Sequence, residues 1–206
     1  MNVIDKLTEY FTKFPGIGSR QARRLVYFLL TRDSYFLEQL SDLILRLRTE
    51  ISECPSCHHL FSSDKNKAGL CDVCQSPNTE KGVLMVVEKD VDLENIKKSG
   101  VYHGRYFILG GSLPILEDNP ASKIRVKELL SEVEKQIKEN DLKEVVLAMS
   151  VNPEGENTKD YINKILEPFS KESGLKVSSL GRGLSTGTEL EYSDSDTLQS
   201  ALDSRR

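Results

Sequence analysis

The stretch Gly82-Val83-Leu84-Met85-Val86-Val87-Glu88-Lys89-Asp90 decides the fold. An unbroken apolar run that gives way at once to charge reads as a strand over Val83–Val87, buried on both faces. A sheet with one face in water would alternate instead. Downstream the pattern repeats. Residues 90–98 predict a short helix, and Arg105–Leu109 a second strand closed by Gly110-Gly111. Residues 122–139 predict an amphipathic helix through Val126, Leu129, Leu130, Val133 and Ile137. Glu144–Met149 reads as a third strand, and residues 158–172 as a helix facing inward with Ile162, Ile165, Leu166 and Phe169, its end distorted by Pro168. Leu175–Leu180 is a fourth strand. Strands alternating with helices argue for an α/β fold with a mainly parallel sheet and helices on its faces.

Upstream the period changes. Residues 1–53 look all-helical: Val3, Ile4, Leu7, Tyr10, Phe11 and Phe14 recur at helical spacing, and Pro15-Gly16-Ile17-Gly18 breaks the chain. Ser19 reads as the N-cap of a second helix carrying Ala22, Leu25, Val26 and Leu29 on one face. A third helix from about Tyr35 runs through Phe36, Leu37, Leu40, Leu43, Ile44 and Leu47 to Ile51. Residues 54–81 are polar and lack periodicity. Four parts are therefore expected: a helical hairpin module over 1–53, a cysteine module over 54–81, a sheet domain over 82–180 and a tail over 181–206 with a short helix at Thr197–Leu202.

Composition sets limits. The 206 residues carry 28 Lys+Arg against 32 Asp+Glu, a net charge of −4, which excludes a uniformly basic nucleic-acid coat. Charge is uneven, however. Tyr10 to Arg32 holds no acid, but contains Lys13, Arg20, Arg23, Arg24 and Arg32. No apolar stretch reaches the ~18–20 residues of a membrane span, and MNVIDKLTEYF lacks the apolar core of a secretory signal, so a cytoplasmic protein without membrane contact is expected.

Cys54, Cys57, Cys71 and Cys74 form C-x2-C-x13-C-x2-C, two short hairpins able to bring four thiolates into the tetrahedron zinc accepts. The alternatives are free thiols or disulfides; without an export signal a metal is favoured. Four ligands close the shell, so one Zn2+ per chain would be structural. His58 and His59 are surplus to that shell and read as surface residues.

In Phe14-Pro15-Gly16-Ile17-Gly18-Ser19-Arg20-Gln21-Ala22-Arg23-Arg24-Leu25, a tight turn precedes a helix N-terminus, whose free N–H groups and dipole favour phosphate. Gly16, Ile17 and Gly18 would let a DNA backbone come close. Arg20 and Arg24 share a helix face and Arg23 flanks them. Such contacts read no sequence and suit single-stranded and duplex DNA alike. The plain alternative is a helical connection with solvated arginines.

Glu88 follows the first strand at the end where open α/β sheets place their sites. A Mg2+ phosphoryl-transfer centre needs a second acid at another strand end. The third strand is followed there by neutral Ser150-Val151-Asn152, and Glu154 and Glu156 can serve the next helix start instead. Glu88 is therefore expected in a structural hydrogen bond or as a residual acid. The tail Gly181–Tyr192 has no lysine in its loop and no nucleotide P-loop pattern; it reads as a packing or subunit-contact segment.

Taken in order, PGIGSRQARRL, CPSC…CDVC, VLMVVEKD, LGGSLPIL, IRVKELL and GRGLSTGTELEYSDSDTLQSAL resemble the RecR family of bacterial recombination mediators over nearly the whole chain. The resemblance implies a helix-hairpin-helix, a four-Cys zinc finger and a Toprim-like domain. It implies a non-enzymatic DNA-repair protein that works with RecO, and in some bacteria RecF, to load recombinase onto gapped DNA, as a ring-like homotetramer. On these motifs the hairpin basic residues correspond to Arg20 and Arg24, the zinc ligands to the four cysteines, and the Toprim acid to Glu88. Two positions depart from the family pattern: Ser150-Val151-Asn152-Pro153 replaces its Asn-Pro-Thr stretch, and Ser185 replaces its tail proline. The alternative is a Mg-dependent Toprim enzyme acting on DNA, of nuclease, primase or topoisomerase type, with Tyr102, Tyr106 and Tyr192 as nucleophiles by type alone. A zinc-stapled protein adaptor without DNA affinity is the third reading.

Overall fold

In the computed structural model the described residues are 1–62, 69–116, 122–181, 183, 184, 187 and 189–203. The chain forms two compact units, Met1–Ile51 and Ser52–Arg206.

The first unit is helical. Helix α1 (Val3–Thr12) starts where the Asn2 side chain accepts the Asp5 N–H at 2.8 Å. Helix α2 (Ser19–Leu30) buries Ala22 and Val26, and α3 (Ser34–Glu50) is capped by the Asp33 carboxylate, which accepts the Phe36 N–H. Two expectations change. Gly18, not Ser19, is the N-cap: it is extended at φ −78°, ψ 169°, its carbonyl accepts the Ala22 N–H, and Ser19 is already helical. Ile51, β-branched and extended, leaves α3 and opens strand β1 (Ile51–Glu53).

The second unit is a doubly covered parallel sheet with a small cysteine module. The module, which shows no helix or strand period in its sequence, contains the two-stranded sheet of β1 and β2 (Leu60–Ser62) and the short helix α4 (Asp72–Gln75). The main strands are β3 (Glu80–Val87), β4 (Gly104–Ile108), β5 (Glu144–Ala148) and β6 (Lys176–Ser179), in the order β4-β3-β5-β6 and all parallel. Strand β3 begins three residues earlier than its apolar run, and its register with β4 slips between Glu80 and Leu84.

Alternate residues of β3 feed two cores, as a strand buried on both faces requires. Leu84 and Val86 join Phe107, Leu109, Val145 and Leu147 under helices α6 (Val126–Asn140) and α7 (Pro153–Ser173). Met85 and Val87 join Tyr106, Ile108 and Ala148 under Leu93 of α5 (Asp90–Ser99). Helix α6 starts later than expected. Helix α7 starts earlier: Pro153 pre-forms the first turn, and the Asn152 side chain accepts the Gly155 N–H at 2.7 Å. With Pro168 inside it, α7 runs to Ser173, within one residue of the expected end. A 3-10 turn (Leu190–Tyr192) and α8 (Ser195–Asp203) complete the tail; Ser185, with Arg182, Thr186 and Thr188, lies outside the described residues. Among the described residues no helix is long and apolar enough to cross a membrane.

Candidate metal centre, sheet-end acid and hairpin turn

The four cysteine sulfurs lie within 4.8 Å of one another. Zn–S bonds of about 2.3 Å in a tetrahedron set sulfurs about 3.8 Å apart, so the donor set fits a thiolate-loving metal. Cys54, Cys57 and Cys71 are buried and Cys74 is partly covered. Cys57 and Cys71 approach to 3.4 Å between sulfurs. Hydrogen bonds from Cys57, Cys71 and Cys74 pull Cys54 far toward the thiolate, while the bond with Cys54 pushes Cys57 up.

The module is fastened to the sheet by polar contacts. The Cys57 carbonyl accepts the Ile108 N–H of edge strand β4 at 2.9 Å. Ser56 Oγ donates to Glu132 Oε1 of α6 at 2.8 Å. Lys97 Nζ of α5 lies 2.7 Å from Asp72 Oδ2. Burial opposes ionisation of both groups, yet their mutual hydrogen bond and charge win, holding Asp72 below and Lys97 above its ordinary range.

The histidines are not surface residues. His58 stands at φ 62° in the tight knuckle after Cys57, its ring edge-on to Phe107 at 5.2 Å and its Nδ1 2.6 Å from Glu53 Oε1. That turn hands His59 to α5, where it is 5% exposed. There its Nδ1 lies 3.1 Å from Asp90 Oδ1 and its Nε2 3.1 Å from Glu94 Oε1. The signal was present in the acids at 90, 92 and 94, which open α5 and need cationic or N–H partners.

Glu88 is 3% exposed at the carboxyl end of β3. Its Oε1 accepts the Ser150 N–H and its Oε2 the Ser150 hydroxyl, both at 2.8 Å. The carboxylate thus ties the end of β3 to the loop after β5. Gly155 makes that loop possible: a Cβ there would stand 2.0 Å from the Ser150 carbonyl oxygen. Asn152 is used in capping α7, and Glu154 and Glu156 sit in the first turn of that helix. Glu154 accepts the Ser112 hydroxyl at 3.3 Å.

In the hairpin, Gly16 is left-handed at φ 75° and the Ile17 N–H donates to the Phe14 carbonyl. Gly18 is different: its φ is negative, and nothing lies within 4 Å of where a Cβ would stand. The fold therefore does not demand a glycine at 18. By helix geometry the amides of Ser19, Arg20 and Gln21 have no acceptor inside α2. Arg20 and Arg24 are exposed, with Arg24 weakly bonded to Gln21 at 3.4 Å. Arg23 lies 3.6 Å from Asp5 of α1, so part of its charge is answered within the unit.

Comparison with known proteins agrees with this architecture. Residues 4–47 match the family model described as RecR, helix-hairpin-helix; residues 82–181 match the Toprim domain; residues 183–206 match RecR, C-terminal. The recombination protein RecR of Synechococcus sp. (strain CC9605) is 35% identical over 98% of both chains. That of Chloroherpeton thalassium is 34% identical over 99% of this chain and 96% of its own. That of Lactobacillus acidophilus is 33% identical over 98% and 96%. A hairpin of helices, a four-cysteine cluster and a parallel Toprim sheet, in this order and at this identity over the full length, make the chain a member of the RecR family of DNA-recombination proteins.

Proposed function

We propose that this chain is a non-enzymatic recombination mediator: a zinc-stabilised, homo-oligomeric clamp, tetrameric by family resemblance, that holds DNA through Gly16, Ile17, Gly18, Arg20, Arg23 and Arg24. It acts in the cytoplasm on nucleoid DNA with RecO-like and RecF-like partners, promoting recombinase loading at gaps. The observation that carries this reading is the open hairpin turn. Gly18 is glycine without any need of the fold, beside unbonded helix amides and exposed Arg20 and Arg24. An incoming phosphate supplies the missing reason for that glycine.

Self-association is supported by the apolar surface of the first unit, where Val3, Tyr10, Leu45 and Leu47 are each more than 60% exposed. Joining several weak hairpins in one ring multiplies their affinity. Zinc is the proposed ion because four thiolates close a tetrahedral shell, the arrangement of structural zinc sites. Against an enzyme stands the partner of Glu88: each of its oxygens accepts a hydrogen bond from Ser150, a neutral residue where a second acid would be needed.

The test is DNA affinity against salt for the parent and Arg20→Ala/Arg24→Ala. The parent should lose affinity steeply with salt, and the double variant should bind more weakly with a shallower slope. Equal binding at every salt concentration refutes the hairpin assignment. Mg2+-dependent cleavage, relaxation or synthesis that disappears in Glu88→Ala would establish the enzyme instead.

A further inference from the structure

We infer that Tyr27 is a base-stacking platform, which makes the hairpin face a reader of single-stranded nucleic acid rather than a phosphate clamp alone. The inference rests on the hairpin assignment above and adds a ligand chemistry to it.

At about 100° per residue, Arg20, Arg23, Arg24 and Tyr27 fall within an arc of about 100° on α2. Ala22 and Val26, the buried residues of that helix, face elsewhere. Tyr27 is therefore an aromatic ring in the middle of the polar, cationic face, and it is 54% exposed. Among the described residues its side chain has no ring-stacking, cation–ring or hydrogen-bond partner, whereas the adjacent Phe28 meets Phe36 edge-on at 6.3 Å and lies under Arg32 at 4.1 Å. Among the described residues Arg20 and Arg24 have no ion-pair partner. The face thus offers cations for a backbone and, one turn on, a flat ring for whatever the backbone carries.

In duplex DNA the bases are stacked inside and cannot use such a ring. A single strand presents unstacked bases, each with a π-face, so a ring one turn beyond a row of cations is a sequence-tolerant single-strand site. Charge complementarity selects nucleic acid over an apolar partner helix, since burying this face against a second copy would trap arginines beside the ring.

The experiment uses full-length protein and three labelled probes: an oligothymidylate, an abasic strand of equal length, and a duplex. Tyr27→Ala should weaken oligothymidylate binding about tenfold while leaving abasic-strand and duplex affinity unchanged. Its salt slope should match the parent's, because no charge is lost. Tyr27→Phe should bind as the parent, and Tyr27→Leu, which keeps bulk but no ring, should behave like Tyr27→Ala. Unchanged oligothymidylate binding in Tyr27→Ala overturns the inference. So does an equal loss for all three probes, or a fall in solution mass, which would make Tyr27 a subunit contact. Failure of the hairpin assignment itself reads differently: Arg20→Ala/Arg24→Ala would then bind every probe like the parent.

Discussion

Replacing Gly18 by serine should move stability and DNA affinity in opposite directions. Gly18 is the N-cap of α2 and makes no side-chain capping bond. Its φ of −78° and ψ of 169° suit serine, and the space for a Cβ is open. A serine hydroxyl there accepts the Arg20 or Gln21 amide, which improves on glycine by a few tenths of a kcal/mol. Removing a glycine also narrows the unfolded ensemble, adding about 0.4–1 kcal/mol. The sum, about 1 kcal/mol, should raise the melting temperature by about 2–4 °C for a chain of this size, in the transition that involves Met1–Ile51. For DNA the same hydroxyl is harmful. It occupies an amide that would meet a phosphate, and it places lone pairs where the anion should sit. Losing one hydrogen bond to a charged group costs about 1.5–3 kcal/mol, roughly 10- to 100-fold in affinity. Differential scanning calorimetry and fluorescence anisotropy on the same preparation read the two effects. A variant that is stabilised but binds DNA like the parent at every salt concentration would show that the turn amides do not touch the backbone. Gly16→Ala is the contrasting control: at φ 75° it should destabilise by about 1 kcal/mol.

Other changes probe the remaining contacts. Metal analysis should find one zinc per chain, and chelation should lower the melting temperature and speed proteolysis between residues 54 and 81; an unchanged melt on complete metal loss contradicts a structural role. Glu88→Ala leaves the Ser150 N–H without its acceptor and should cost about 1–3 kcal/mol, whereas Glu88→Gln, which keeps an acceptor for that N–H, should cost less than half as much in urea unfolding. Glu144 of β5 accepts from Ser178 Oγ at 2.6 Å and pairs with Lys176 of β6 at 3.0 Å, and these contacts hold its pKa below the ordinary carboxylate range. Its folded pKa is depressed, so its contribution is full above the unfolded value near 4.3 and fades as pH falls through the folded value. The melting-temperature gap between the parent and Glu144→Gln should accordingly be open at pH 6 and close toward pH 3. A gap independent of pH refutes that assignment.

The sheet was legible in the sequence because double burial writes itself as unbroken apolar runs. Val83–Val87 needed no partner to be recognised, and β4 and β5 followed by the same rule, whereas β6, with Lys176, Ser178 and Ser179, is marked only by its place in the strand–helix alternation. The cysteines were legible because their spacing carries the metal geometry. What local pattern could not convey was contact between distant segments. His59 looks like any polar residue beside a cysteine until the knuckle turns at His58 and meets the acids of α5. The N-cap was misplaced by one because Ser19 is the better capping residue by chemistry, but the chain places Gly18 at the cap. The far end of α7 was legible to within one residue despite Pro168, because Ile162 and Leu166, both fully buried, carry the helical period that seats it on the sheet.

The Glu88–Ser150 contact gives the acid at this sheet end a structural task. A metal centre needs carboxylate lone pairs free and a second acid near them. Here each carboxylate oxygen accepts a bond from Ser150, a neutral residue on the neighbouring strand's loop where the second acid would stand. The effect is mechanical: β3 is joined to the β5–α7 loop, and that loop to α7 through Asn152 and the close approach at Gly155. The β4 loop is joined to the same helix, since the Leu113 N–H donates to Thr158 Oγ1 at 2.7 Å and Asn157 donates to the Leu113 carbonyl at 3.2 Å. Three strand-end loops therefore converge on one helix start, held by hydrogen bonds that a reactive centre would have to break. Restoring an acid opposite Glu88 by Ser150→Asp should bring two carboxylates together in a buried site, destabilise the protein without added metal, and make its melting temperature rise with Mg2+ or Mn2+. A parent whose melting temperature responds to those ions as strongly as the variant's would refute the view that Ser150 has closed the site.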